Sequence, residues 1–399
     1  MPDAQPQEAP PTAVKESDLA NWKLLRQFRE RLGQVQVQQQ FAVHPSFQDP
    51  ERLLAMGDYL SLYLFGLLNP VVRTMRALCA ASDLKRVRQE VCRRHVSLGS
   101  FSEAQHLVSP ELLAKVFEEL AAELPEHNKA DPRLGLRDWT ARDGSVFAAL
   151  PRMSWALYGV GRSGTHKAAR LHLNYRVLSG KPVGAQVAEG RRCERAVWKE
   201  QWRRGEAYIG DRYFAENYSV FGQLQELDCR YVLRLLDTAV INVEEEFPVT
   251  PEDRQAGVVR QAWARLGKVE RSRSVRVRVV WLEKVKDSQM ILVTNVGVDE
   301  LPAALVVMLY RRRWQIELFF RWIKCLLGCR HWLAESRQGA TMQLYLVLIA
   351  AVLLQLHTGR RPTKRMLELF QFYLLGVASL EELTQGLQRE LKKLVAKKR

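Results

Sequence analysis

The chain has 399 residues, 47% of them hydrophobic and 26% charged, and its 60 Lys and Arg outweigh 44 Asp and Glu to give a formal net charge of +16. This composition excludes a natively unfolded chain and is sufficient for two or three domains around at least one sizeable core. The positive surplus attracts polyanions, and for a globular protein the expected polyanion is nucleic acid.

Residues 1–17 are rich in Pro, Gln and Ala without periodicity, which predicts disorder. They have neither the basic start nor the apolar run of a signal peptide, so no export is expected. From Asp18 to about Leu124 apolar residues recur at three- and four-residue spacing, as in Leu60, Leu64, Leu67 and Leu68 ahead of Pro70. That pattern predicts a helical N-terminal domain over 18–125, read as DNA-binding because basic clusters lie between the apolar positions. Lys85, Arg86 and Arg88, then Arg93 and Arg94, can follow a DNA backbone or simply form a solvated helix face.

The pattern changes near Arg133. Leu171, Leu173, Tyr175 and Val177 alternate with polar residues, Ser179 and Gly180 make a turn, and Pro182 to Val187 is again strand-like, which predicts a hairpin. A helix over Glu194 to Arg204, a strand over Ala207 to Gly210, a helix around Phe214 to Leu227 and a strand over Arg230 to Leu235 follow. With one more strand around Asp143, this is the order of an α/β RNase H-like core, a five-stranded mixed sheet flanked by helices, its first part spanning 126–240. Residues 241–299 are β-rich, with Val275 to Glu283 and Met290 to Val296 as strands, and are expected to form an insertion into that core. The core resumes over 300–360, and 361–399 is a basic helical tail. The apolar run Leu344 to Leu354 is about half the length of a membrane span and predicts a buried helix.

Six cysteines, at 79, 92, 193, 229, 325 and 329, are scattered, which in a chain of this size points to reduced thiols in a cytosolic protein. Cys325 and Cys329 with His331 have a faint metal-ligand look, but a fourth ligand at zinc spacing is missing.

The chemistry-bearing residues centre on Glu317. Tyr310, Arg313, Glu317 and Lys324 lie at offsets that fall within about 60° of arc at 3.6 residues per turn, so one helix stripe carries all four. Ile316, Phe319, Phe320 and Ile323 occupy an adjoining arc that can pack on a sheet. A wet helix face would look the same from the stripe alone. In an RNase H-like core, however, the first strand, the end of the fourth strand and the helix after the fifth converge at one sheet edge. Asp143 falls at the first place and Asp211 at the second. Three carboxylates around one point repel unless cations lie between them, and hard oxygen ligands suit Mg²⁺ or Mn²⁺. Two such ions roughly 4 Å apart activate a nucleophile and stabilise the leaving oxygen of a phosphodiester. Each aspartate also has a bland reading: Asp143 before Gly144 as a turn residue with Asp138 as its rival, and Asp211 as a helix cap.

The segment Tyr310, Arg313, Glu317, Lys324 resembles the Y-x2-R-x3-E-x6-K signature of bacterial insertion-sequence transposases, the family called insertion sequence four. Asp143-Gly144-Ser145 resembles that family's first-aspartate motif, Asp211-Arg212 its second, and Val293-Thr294-Asn295 the last strand of its insertion; the likeness covers about 130–360. It departs at Tyr213, where many relatives have Gly. The resemblance implies DDE cut-and-paste transposition by two-metal-ion hydrolysis and strand transfer. The implied catalytic and metal-holding residues are Asp143, Asp211 and Glu317, and a β-rich insertion accounts for the long gap between Asp211 and Glu317. Tyr310, Arg313 and Lys324 would hold DNA phosphates, and Trp314 and Trp281 are candidates to stack on an unstacked base. The expected partner is double-stranded DNA, at transposon ends and target, bound as a homodimer, with no membrane.

Overall fold

The structure is a computed structural model that describes residues 23–38, 44–49, 54–125, 138–161, 164–267, 275–285, 288–327 and 332–396. The expectation of disorder over 1–17, and the pairing of Cys329 with His331, lie outside the described residues, as does the Cys325 side chain.

Helices α1 (Lys23–Gln38), α2 (Met56–Leu68), α3 (Met75–Ala81), α4 (Lys85–Glu90), α5 (Leu98–Ala104) and α6 (Pro110–Ala122) come first. Their ends follow local chemistry. The side chains of Thr74, Ser97 and Ser109 accept hydrogen bonds from the orphan N–H groups that open α3, α5 and α6, and Pro110 occupies the first turn of α6, where no N–H is needed. The apolar stripes of these helices, including Phe28, Tyr59, Tyr63, Phe101 and Phe117, are buried in one cluster with residues from the C-terminal half of the chain. Tyr63 donates to Gln343 at 2.8 Å inside it. The described helices between Lys23 and Ala122 thus share a core with the C-terminal half of the protein.

The strands are β1 (Thr140–Ala148), β2 (Leu157–Gly161), β3 (Gly164–Arg176), β4 (Lys181–Glu189), β5 (Ala207–Gly210), β6 (Arg230–Arg234), β7 (Ile241–Phe247), β8 (Val258–Leu266), β9 (Arg276–Val285) and β10 (Ser288–Thr294). Between them lie α7 (Glu194–Glu200), α8 (Ser219–Glu226) and α9 (Pro251–Gln255). Among the described residues they form one ten-stranded mixed sheet in the order β2-β3-β1-β5-β6-β10-β9-β8-β7, with β4 also paired to β3. The β3–β4 hairpin turns at Gly180, whose φ of +74° suits a residue without a side chain. Strands β1, β5 and β6 run parallel, and the other pairs are antiparallel.

The sheet is larger than the five strands expected. The strands of 241–294 do not close on themselves; β10 pairs with the free edge of β6, Leu292 opposite Arg234, and so carries the insertion on as more of the same sheet. Asn295 fixes the join, accepting from the Tyr231 N–H and donating to the Cys229 carbonyl. The second helix also starts later than expected, at Ser219, because the chain after Asp211 first makes turns.

Period-two alternation sends the two faces of the sheet to different helices. Ala141, Ile209, Val232, Val280 and Leu292 pack with α10 (Ala303–Arg312), while Tyr208, Tyr231, Leu233 and Val279 pack with Trp198 of α7 and Phe221 of α8. The chain ends in α11 (Trp314–Leu327), α12 (Arg337–Thr358), α13 (Lys364–Leu374) and α14 (Leu380–Ala396). Helix α12 has 22 residues and is long and apolar enough to cross a membrane, but 89% of its apolar window is buried within the protein, as the central helix of the α-helical cluster.

Candidate active site

Parallel pairing of β1 and β5 sets Thr140 beside Tyr208 and Ala141 beside Ile209. Two residues further along each chain, Asp143 and Asp211 therefore stand level with one another, Asp143 within the longer β1 and Asp211 just past the end of β5. Neighbouring strands are about 4.8 Å apart, so the register brings the two carboxylates to one edge. Glycines flank both. A Cβ on Gly210 would lie 2.8 Å from Leu233 and 3.0 Å from Phe214, so the strand end packs too tightly for a side chain there. A Cβ on Gly144 would lie 2.8 Å from the Oε1 of Glu194.

Asp143 accepts from the Gly144 N–H at 2.8 Å. Asp211 accepts from the Tyr213 N–H at 3.0 Å, a local turn rather than the cap of the next helix, so Tyr213 in place of glycine supports the loop with its backbone. The Tyr213 ring is covered by the Arg195 guanidinium at 4.6 Å. Asp138 is committed elsewhere: it accepts from the N–H groups of Trp139, Leu178 and Ser179 and ties the start of β1 to the β3–β4 turn.

The stripe around Glu317 is split between two helices. A tight turn at Arg313, with three-residue hydrogen bonds Arg313 N–H to Tyr310 O and Ile316 N–H to Arg313 O, separates α10 from α11. The local offsets survive the break. The Arg313 guanidinium donates to Glu317 at 2.7 Å and lies 5.8 Å from the Tyr310 ring centroid. Helix α11 buries Ile316, Phe319 and Ile323, with Phe319 against Tyr175 of β3, and Lys324 Nζ sits 5.4 Å from the centre of the Phe147 ring of β1. The stripe thus lies along the strand that carries Asp143.

Charge is concentrated at this edge. Burial pushes the Asp143 carboxyl up to about 7, the Gly144 N–H and Arg313 oppose the shift, and the negative charges of Glu194 and Asp211 add to it. Burial works against the Arg313 cation, but Tyr310, Glu317 and Asp143 together hold its pKa above the ordinary value. Arg313 is therefore within electrostatic reach of both Asp143 and Glu317, as a cation between carboxylates. On the opposite face of β1 lies a second set that no sequence signal distinguished: Glu194, paired with Arg170, together with His172 and Arg142. Burial and the neighbouring arginines push His172 down to about 3, so it is neutral, and burial lowers Arg142 to about 10. Glu194 opens α7 directly after Cys193 and reads in sequence as an ordinary first-turn glutamate.

Of the other expected residues, Trp314 is 49% exposed beside the turn, on an open cavity of about 350 Å³ shared with Ala256, Met308, Arg311 and Arg312. Trp281 is not brought to the carboxylates. It lies on β9, 8% exposed in the sheet core with the Arg260 guanidinium over its ring, which leaves no face for a base.

Carboxylates from β1, the end of β5 and α11 are the donor types a hard divalent cation takes, and Asp143 and Asp211 bring like charge together for one to neutralise. Among the described residues no three such side chains are gathered closely enough to hold an ion as they stand, and Glu317 is paired with Arg313. The residue types fit such a cation.

Residues 136–353 match the family model described as transposase DDE domain. The chain is 24% identical over 249 residues to the putative transposase y4zB of Sinorhizobium fredii (strain NBRC 101917 / NGR234), covering 61% of this chain and 67% of that protein. It is 25% identical over 213 residues to the probable transposase for insertion sequence element IS5377 of Geobacillus stearothermophilus, covering 53% of this chain and 54% of that protein. The chain thus spans about two thirds of one relative and about half of the other. The family uses divalent metal ions for DNA cleavage, in keeping with the edge described above, and the match covers more than half of the sequence, from the start of β1 through most of α12. The chain belongs to the transposase DDE domain family.

Proposed function

We propose that this protein is a DNA transposase of the insertion-sequence-four type, which cuts a mobile element out of double-stranded DNA and joins it to a target. The observation that carries the proposal is the β1–β5 register, which sets Asp143 level with Asp211 at the edge along which the Glu317 stripe runs. The two relatives' names, one referring to an insertion sequence element, support the same class.

In this reading Asp143, Asp211 and Glu317 hold two Mg²⁺ or Mn²⁺ ions, with an RNase H-like core as their frame. When bound, such ions activate the attacking oxygen and offset charge on the leaving one. The chain's own groups position the strand. Arg313, released from Glu317, and Lys324 donate to phosphate oxygens, and the Tyr310 hydroxyl adds a third donor. Trp314, half exposed at the turn, offers a face to an unstacked base. Water first attacks the phosphodiester at the element's end, freeing a 3′-hydroxyl, and that hydroxyl attacks a target phosphodiester and displaces one strand end. No protein nucleophile is consumed. Two copies of the chain, one at each element end, suit a reaction that joins both.

The test is incubation of the protein with Mg²⁺ and DNA bearing its own element's ends. Strands both nicked and joined are expected. Nicked products alone would make the protein a hydrolytic nuclease with the same centre, and binding without cleavage would overturn the catalytic proposal.

A further inference from the structure

The carboxylate beside Gly144 is the feature that the three-residue account leaves unused. Glu194 sits on the face of β1 opposite Asp143, where Arg142, His172 and Arg170 line β1 and β3. Its Oε1 would be 2.8 Å, and its Cδ 3.2 Å, from a Cβ at position 144, and the His172 Nδ1 also would be 3.2 Å away. The glycine is thus what lets a carboxylate from α7 lie against the backbone next to Asp143. The same Oε1 accepts from Arg170, so one carboxylate oxygen lies between that guanidinium and the Gly144 backbone.

Two buried groups in the same layer point the same way. Arg142 is 2% exposed and His172 1% exposed, and among the described residues the Nη2 of Arg142 and the Nε2 of His172 have no hydrogen-bond partner. Burying an arginine costs several kcal/mol, and burial lowers Arg142 although Tyr208, Glu194 and Glu200 each oppose the shift in part. Asp143 feels the negative charge of Glu194, and Glu194 feels that of Asp211, which places Glu194 near both.

We propose that Glu194, admitted by Gly144 and held by Arg170, is a fourth carboxylate of the reaction centre that adds its charge to the cation site of Asp143 and Asp211. The inference rests on the metal-dependent reading of that edge. It makes Glu194 a positioning residue for the cation, acting on affinity more than on the chemistry of the strand.

The experiment is titration of the full-length, DNA-free protein with Mn²⁺, followed by calorimetry. Glu194→Gln removes the charge at constant shape, and Gly144→Ala keeps the charge but pushes the flexible carboxylate away. Both should weaken Mn²⁺ binding by roughly tenfold or more, the range seen when outer partners of a metal site are removed. Asp143→Asn is the control for the site itself and should weaken it further. If Glu194→Gln fails to fold, Gly144→Ala carries the test with every carboxylate still present. Wild-type affinity in Glu194→Gln and Gly144→Ala, with reduced affinity in Asp143→Asn, overturns the role of Glu194 and leaves the site standing. Wild-type affinity in Asp143→Asn overturns the metal-site reading beneath it.

Discussion

Asp143 is expected to destabilise the metal-free fold at neutral and alkaline pH. Burial raises its carboxyl to about 7, against roughly 3.9 for an aspartate in an unfolded chain. The folded form therefore holds the proton more tightly than the unfolded one. Its stabilising contribution is complete below about pH 4 and is lost as pH rises toward about 7. Between about pH 5.5 and pH 8 the two titration curves diverge by roughly 1.5 log units, or about 2 kcal/mol. Asp143→Asn keeps the acceptor for the Gly144 N–H and carries no titrating proton, so it escapes that loss. Urea denaturation in EDTA should show the stability gap between Asp143→Asn and wild type widening by about 2 kcal/mol over this range. Added Mn²⁺ should restore stability to wild type only. Parallel pH profiles for the two proteins would refute the claim that burial outweighs the Gly144 N–H and Arg313 at the Asp143 carboxyl.

Arg313→Ala and Lys324→Ala should each slow strand cleavage about tenfold to a hundredfold, from about 1 to 3 kcal/mol of lost charged hydrogen bonds, with the fold intact; single-turnover rates at wild-type level in both would reduce the stripe to a solvated face. Asp253 caps α9 through the Thr250 N–H and also accepts from the Ala304 N–H at 2.7 Å, so it ties α9 to the helix that delivers Tyr310. Asp253→Ala should cost about 2 kcal/mol in urea denaturation, and no loss would mean that this link is idle. The two tryptophans should separate cleanly: Trp281→Ala costs about 3 to 5 kcal/mol of stability and Trp314→Ala less than about 1 kcal/mol, and the reverse order would contradict their burial.

Much of this edge was legible because it is encoded by short-range pattern. Alternation over Leu171 to Val187 marks the β3–β4 hairpin, and the three- and four-residue offsets of Tyr310, Arg313 and Glu317 survive as an observed contact. The strand over Ala207 to Gly210 follows from an apolar run bounded by glycines, and it fixes where Asp211 emerges. What escaped depends on tertiary partners. No local signal says that the β6 edge is open to β10, so the insertion appeared separate when it continues the sheet. The break at Arg313 comes from tightened backbone hydrogen bonds within a sequence of good helix formers. Trp281 and Trp314 are equally tryptophan in sequence, and only packing makes one core and the other half exposed. Glu194 lies far from Gly144 along the chain, and a helix-opening glutamate does not announce a strand that it will touch.

In the proposed function, three carboxylates from β1, the end of β5 and α11 form one metal-dependent cutting centre. The most direct measurement is single-turnover cleavage of element-end DNA in Mg²⁺ by wild type and by Asp143→Asn, Asp211→Asn and Glu317→Gln, with DNA affinity measured on the same samples. Each variant should bind DNA as wild type does and cut at least about a thousandfold more slowly, the loss of a main catalytic electrostatic contribution. Cleavage at the wild-type rate by any one of the three would contradict the account and remove that residue from the centre.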